Sequence, residues 1–261
     1  MPKILLDAGH YDRYNQSNVY SSYFEGTQMW KLYNHLKIQL EKYGFTVGTT
    51  KSTINGYPKT SGKDDVYKRG QMAKGYDLML SLHSNACGTE SVNRAVVIYP
   101  MSGAKNNLAA QLGQCVKSTM GLSSYQLMQR DYNTGDIYSG VKNSNKDYYG
   151  VIRGAVAVGT PCIIIEHGFH TNTAVAKWLM NDVNLKKLAE AEAKVLAEHF
   201  GIKTQTSTTT TKTTTQASTQ EQLIYRLQVG AYTQKSNAEQ MLDKLKKAGF
   251  KDAYITTTKR I

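Results

Sequence analysis

Residues 160–172 read TPCIIIEHGFHTN, and four apolar side chains, Cys162 to Ile165, run straight into the carboxylate of Glu166. A short unbroken apolar run is the pattern of a strand buried on both faces. A carboxylate ending such a strand needs a partner or a function, because a lone charge is costly to bury. The same layout occurs twice upstream, where Ile4–Ala8 runs into Gly9-His10 and Leu78–Leu82 into His83. Phe45–Thr49 and Ala95–Tyr99 add two further buried runs. Between the runs, apolar residues recur at helical spacing: Met29, Leu32, Leu36 and Leu40; Leu108, Leu112, Cys115 and Val116; Leu185, Leu188, Val195 and Leu196. This alternation predicts an α/β fold, a single mainly parallel twisted sheet with helices on both faces. Ligands of such sheets bind beyond the C-terminal ends of the strands.

His10, His83 and Glu166 hold equivalent strand-end positions and so share one rim of the predicted sheet, while Glu25, a few residues before the first helix, can reach the loops above it. Two imidazoles and a carboxylate with one open position make a catalytic zinc site, and a second carboxylate can handle protons. Other readings stay open at this point. Glu25 also suits a helix dipole. His167 and His170 form a rival H-x-x-H pair, and Cys87 lies four residues after His83. His35, mid-helix, and His199, in a last helical turn, read as structural, and Cys115 and Cys162 as core fillers.

The whole chain has 261 residues, of which 40% are hydrophobic and 20% charged. No apolar run reaches the roughly 18 residues of a membrane helix, so no membrane partner is expected. Three cysteines without C-x-x-C spacing exclude a disulfide scaffold and a zinc ribbon. The net charge of +12 favours an anionic partner. No helix-turn-helix, zinc finger or paired aromatic motif accompanies it, so no nucleic acid is expected. Residues 204–219 hold ten Thr in sixteen positions and no large apolar side chain, which predicts a disordered tether. After it, Ile224–Tyr232 alternates, Ser236 and Glu239 form a capping box before Met241, Leu242 and Leu245, and Ala253–Thr258 alternates again, giving a small β-α-β module. The expected division is 1–201 for the catalytic domain, 202–220 for the Thr-rich linker and 221–261 for the module. The opening MPKILLDAGH lacks a basic region, apolar stretch and cleavage site, from which cytoplasmic accumulation is expected, with any action outside the cell following release.

The segments KILLDAGH, Glu25 before a helix ending EKYGFTV, LMLSLHSNA and TPCIIIEHGFHTN, in this order, resemble the zinc-dependent N-acetylmuramoyl-L-alanine amidases of the amidase 3 type over about residues 1–200. The resemblance implies that His10, Glu25 and His83 bind one zinc ion and that Glu166 is the catalytic carboxylate. It also implies peptidoglycan as partner and, as substrate, the amide joining the lactyl group of N-acetylmuramic acid to L-alanine. Three positions depart from the family pattern: Tyr11-Asp12 replace a Gly-rich continuation, Gly26 stands where a basic residue is common, and His167 where a small one often does. His167 is thereby an extra candidate donor to substrate. Residues 123–150, rich in Tyr, read as a long excursion, either one wall of a substrate groove or a surface loop. The tail is similar to the first half of a SPOR repeat, a glycan-binding module, and its half length makes a homodimer through paired tails an expectation. An amidase followed by such a repeat resembles endolysins of phages and sporulation lytic enzymes of Gram-positive bacteria. The alternatives are a zinc peptidase cutting within the stem peptide and a non-catalytic wall-binding protein.

Overall fold

Alternation along the first strand sends Ile4, Leu6 and Ala8 into one core and Leu5 into another, so that strand is buried on both faces. The computed structural model describes residues 1–57, 59–60, 63–133, 135–137, 147–202, 232–247 and 255. The chain divides into two compact units, Met1–Thr208 and Thr209–Ile261. The first contains, in order, β1 (Lys3–Ala8), α1 (Glu25–Lys42), β2 (Thr46–Thr49), the short antiparallel pair β3 (Lys59–Thr60) and β4 (Lys63–Asp64), α2 (Val66–Gln71), β5 (Leu78–Asn85), β6 (Arg94–Ile98) and α3 (Asn106–Met120). It continues with β7 (Ser124–Asp131), β8 (Gly135–Ile137), α4 (Gly150–Ala157), β9 (Cys162–Phe169), α5 (Thr173–Met180) and α6 (Asp182–His199).

Seven strands form one sheet in the order β2-β1-β5-β9-β6-β7-β8. The joints β2-β1, β1-β5, β5-β9 and β6-β7 are parallel, and β9-β6 and β7-β8 are antiparallel. The sheet is thus mainly parallel, as expected, with its reversal beside β9. Helices α1, α3, α5 and α6 cover one face, where Leu32, Leu36, Leu112, Leu188 and Leu196 meet Leu6, Leu80 and Ile165. On the other face α4 places Val151, Ile152 and Ala155 against Leu5, Met79, Val96 and Ile164, with Ala73 just after α2 in the same core. Both layers draw on alternate residues of the same strands, which is why the strands read as continuous apolar runs.

Three expectations need correction. Glu25 does not precede the first helix but is its first residue. Residues 124–131 are not part of a loop excursion: they form β7, paired to β6, with Tyr125 and Leu127 packed on one core and Met128 in the other. Because Val96 is level with both Glu166 and Gln126, and β7 runs opposite to β9, Asp131 and Tyr132 lie at the far end of the sheet from Glu166. Tyr138 and its neighbours lie outside the described residues, as do residues 203–220 of the expected linker and, apart from Tyr232 and Ile255, the two segments expected to be strands of the small module. Of the second unit, α7 (Lys235–Lys247) is described. It begins at Lys235, so Ser236 sits within its first turn rather than before it. No helix among the described residues is long and apolar enough to cross a membrane.

Candidate metal centre

Just past the end of β1, in the C-terminal part of β5 and at the first residue of α1, the structure brings His10, His83 and Glu25 together, with one ligand atom of each lying within 4.8 Å of the others. Glu25 is 1% exposed, whereas the side chains of His10 and His83 are 31% and 15% exposed. The carboxylate is therefore fixed at the base and the imidazoles open toward solvent. His83 Nδ1 donates to Glu25 Oε1 at 2.9 Å, the Ser84 backbone N–H donates to the same oxygen at 3.0 Å, and His10 Nε2 lies 3.3 Å from Oε2. Asn15 Nδ2 donates to Oε2 from the loop above. Burial alone would raise the Glu25 carboxyl, but hydrogen bonds from His10 and His83 and their charge outweigh it and hold the group well below the usual range.

The donor set fits a zinc-type cation. Ligand atoms bound tetrahedrally at about 2.1 Å lie roughly 3.4 Å apart, close to the His10–Glu25 spacing. The protons that both imidazoles share with Glu25 are what a cation would displace. Glu166 lies beside this set. It pairs in register with His83 across the parallel β5-β9 joint, so both side chains share a face of the sheet. Its Oε2 is shielded from solvent and meets no hydrogen-bond donor among the described residues. Burial, reinforced by the Glu25 carboxylate, pushes Glu166 well above the ordinary carboxylate range. A carboxylate whose surroundings raise its proton affinity, next to a cluster built to hold a cation, can accept and return a proton there.

The loop from Gly9 to Phe24 shapes the mouth. A side-chain carbon at Gly9 would lie 2.6 Å from the His83 ring, so only glycine lets that ring settle over the chain. His10, Arg13 and Asn15 all have positive φ, conformations that cost about 1–3 kcal/mol each unless held by their surroundings. They are held: Lys51 Nζ donates to the His10 carbonyl at 2.6 Å, the Arg13 N–H donates to Thr27 Oγ1 at 3.1 Å, and the Glu25 N–H donates to the Asn15 carbonyl at 3.1 Å. Tyr14 stacks on His10 with ring centroids 4.8 Å apart. Two of the positions singled out in the sequence, Tyr11 and Gly26, meet at this loop. The Tyr11 carbonyl rests on the first turn of α1, where a side-chain carbon at Gly26 would come within 1.7 Å of it. A larger residue at 26 and this course of the loop exclude one another. Gly26→Ala is expected to lower stability by about 1–3 kcal/mol, read as a lower melting temperature.

The rival histidine pair is not at the centre. His167 is fully buried, with Nε2 2.8 Å from Glu192 Oε1 of α6, so it is not exposed to donate to substrate. His170 is buried against Tyr23 and Ser84, and burial lowers its pKa. His35 bonds Asp182 at 2.9 Å and joins α1 to α6, and His199 meets Lys105 at 3.1 Å. Cys87 bonds the Thr89 carbonyl, Cys162 is buried in the core, and burial together with the Glu192 charge pushes the half-buried Cys115 thiol up to about 12. Sequence reasoning missed Asn15, Lys51 and Ser84. Only the position of Lys51, just past a strand next to the His10 strand, carried any signal.

The sequence model described as N-acetylmuramoyl-L-alanine amidase matches residues 4–198. The chain belongs to this amidase family. A second match, to the SPOR domain, covers residues 222–260. Among solved structures, the catalytic domain of CwlV, an N-acetylmuramoyl-L-alanine amidase from Bacillus (Paenibacillus) polymyxa, is similar with TM-score 0.60 and 17% identity over 78% of this chain and 100% of that one. The amidase AmiC2 of Nostoc punctiforme gives 0.58 and 18% over 77% and 97%. Cwp6 from Clostridium difficile gives 0.60 and 19% over 76% of this chain, which spans 29% of the length of Cwp6. At these identities the likeness is one of fold. No curated protein matches the chain. The amidase match ends within α6, so it takes in all four strand-end or helix-start residues singled out in the sequence.

Proposed function

We propose that this amidase cleaves the bond between N-acetylmuramic acid and L-alanine of peptidoglycan, using one zinc ion held by His10, Glu25 and His83. The observation that carries the reading is the convergence of two imidazoles and a carboxylate beside Glu166, in a chain of the amidase family. Zinc in such a site supplies Lewis acidity toward a water molecule and the scissile carbonyl. The chain's own residues do the rest. Glu25 Oε1, fixed by the Ser84 N–H, and Oε2, fixed by Asn15, orient the carboxylate. Lys51 fixes the backbone that presents His10. Glu166 takes the proton of the attacking water at its shielded carboxylate and returns it to the leaving nitrogen, one group serving both transfers.

In this reading residues 1–201 are the catalytic domain, 202–220 a linker and 221–261 a wall-binding module that raises the local concentration of the catalytic domain on glycan. Pairing of two such half-length modules between chains belongs to the same proposal. The test is digestion of purified peptidoglycan by the full chain with and without a chelator, with the new ends identified by mass spectrometry. Stem peptides beginning at L-alanine, lost on chelation and restored by zinc, are expected. New ends within the stem would replace this reading by a peptidase, and binding without cleavage by an adaptor.

A further inference from the structure

We infer that His167 and His170 are positioning residues, a pair of imidazole clamps that hold the end of β5 in place where the sheet register breaks. The β5-β9 register runs regularly to His83 and Glu166 and then shifts, so that Asn85 pairs with Phe169. Gly168, at φ +78°, lies within the shift. The carbonyls of His83 and Ser84 sit at this break. Each is met by a ring nitrogen: His167 Nδ1 is 2.9 Å from the His83 carbonyl and His170 Nδ1 is 3.1 Å from the Ser84 carbonyl. A carbonyl only accepts, so His167 Nδ1 is the donor to His83; His170 Nδ1 also lies 2.9 Å from Ser84 Oγ, and its single N–H is shared between that hydroxyl and the Ser84 carbonyl. The rings are anchored in turn. His167 Nε2 meets Glu192 Oε1 of α6, with both side chains wholly buried, and His170 stacks on Tyr23, whose hydroxyl is 2.6 Å from Ser84 Oγ.

The segment so held is the one that presents the His83 ring and the Ser84 N–H, both bonded to Glu25 Oε1. A break in the ladder at that point would let His83 and Glu25 drift relative to each other. The H-x-x-H spacing thus serves the metal centre indirectly: residues three apart across the bulge reach two successive carbonyls of the neighbouring strand. Partners of this kind typically change metal affinity 10–100-fold when removed. In naming zinc the inference rests on the function proposed above; the clamp itself does not.

The experiment compares His167→Leu, His167→Asn and His167→Gln in the full chain. Asn places its amide nitrogen where Nδ1 was and keeps the bond to His83, whereas Gln reaches toward the Nε2 position near Glu192. Both are polar and burden the core alike. Zinc affinity is read by chelator competition, and backbone exchange at the Ser84 amide by hydrogen exchange on metal-free protein. The clamp predicts that Leu and Gln weaken zinc binding by at least about tenfold and speed exchange at Ser84, and that Asn restores both. Unchanged zinc affinity in all three variants, with exchange altered evenly across the sheet, would overturn it and leave the pair as ordinary core. A wild-type chain that binds no zinc, yet shows the Ser84 exchange pattern, would remove the metal reading and keep the clamp.

Discussion

Glu166→Gln is expected to yield a folded, metal-binding protein whose turnover falls by about 10²–10⁴-fold, the range typical for loss of a positioned general base. Gln keeps the volume and the strand, and β9 contributes its backbone to both β5 and β6 regardless of the side chain. What is lost is the ability to accept a proton at the shielded oxygen. Because no donor among the described residues engages Glu166 Oε2, an amide there leaves no described partner stranded. The effect should fall on kcat and kcat/KM alike, since the interaction belongs to the transition state. His83→Ala supplies the contrast, with metal and activity lost together. Zinc content by atomic emission and release of stem peptides from purified peptidoglycan measure both. An active Gln variant would take the base role away from Glu166.

The apolar runs leading to His10, His83 and Glu166 were legible in the sequence because such runs mark buried parallel strands that share a rim, although β5 and β9 continue two and three residues past His83 and Glu166 rather than ending there. The helices α1, α3 and α6 were legible for the same reason of periodicity, being 18, 15 and 18 residues long. Helix α2, with 6 residues, and α4 and α5, with 8 each, are too short for a repeat to declare itself. Strand β7, SYQLMQRD, hides its alternation because Met128 follows Leu127 directly while packing on the other face, and Gln129, Arg130 and Asp131 close the strand with polar residues. The histidines at 167 and 170 show a different limit. Their spacing fits a metal pair as well as a backbone clamp, and only the register shift at His83, a long-range property of β5 and β9, separates the two. The course of the loop over Gly26 was equally invisible, since it depends on where the Tyr11 carbonyl lands.

The charged groups under the centre lead to the largest expected loss of stability. Asp7 of β1 is fully buried, accepting from Thr50 Oγ1 at 2.6 Å and Ser81 Oγ at 2.7 Å, with Arg69 Nε of α2 3.5 Å away. The Tyr57 ring has the Arg69 guanidinium and Lys51 Nζ each 4.1 Å from its centroid, so the network that reaches the His10 carbonyl through Lys51 also reaches Asp7 through Arg69. Burial alone would raise the Asp7 carboxyl, but Arg69 and the two hydroxyl bonds outweigh it and hold it below its usual value. Removing one member of a buried pair leaves an uncompensated charge, so Arg69→Met should cost about 3–5 kcal/mol at pH 7. The sign of the pH dependence follows. In the wild type the Asp7 contribution is present above the unfolded value of about 3.9 and is lost as pH falls through its lower folded value. In Arg69→Met, burial acts against the charge and raises the folded value, so the penalty is absent below about 3.9 and grows as pH rises. The gap between the two proteins in denaturant melts should therefore narrow from pH 7 toward pH 4, and Asp7→Ala combined with Arg69→Met should recover part of the loss. A gap independent of pH would mean that Arg69 acts through packing on Tyr57 rather than through its charge on Asp7.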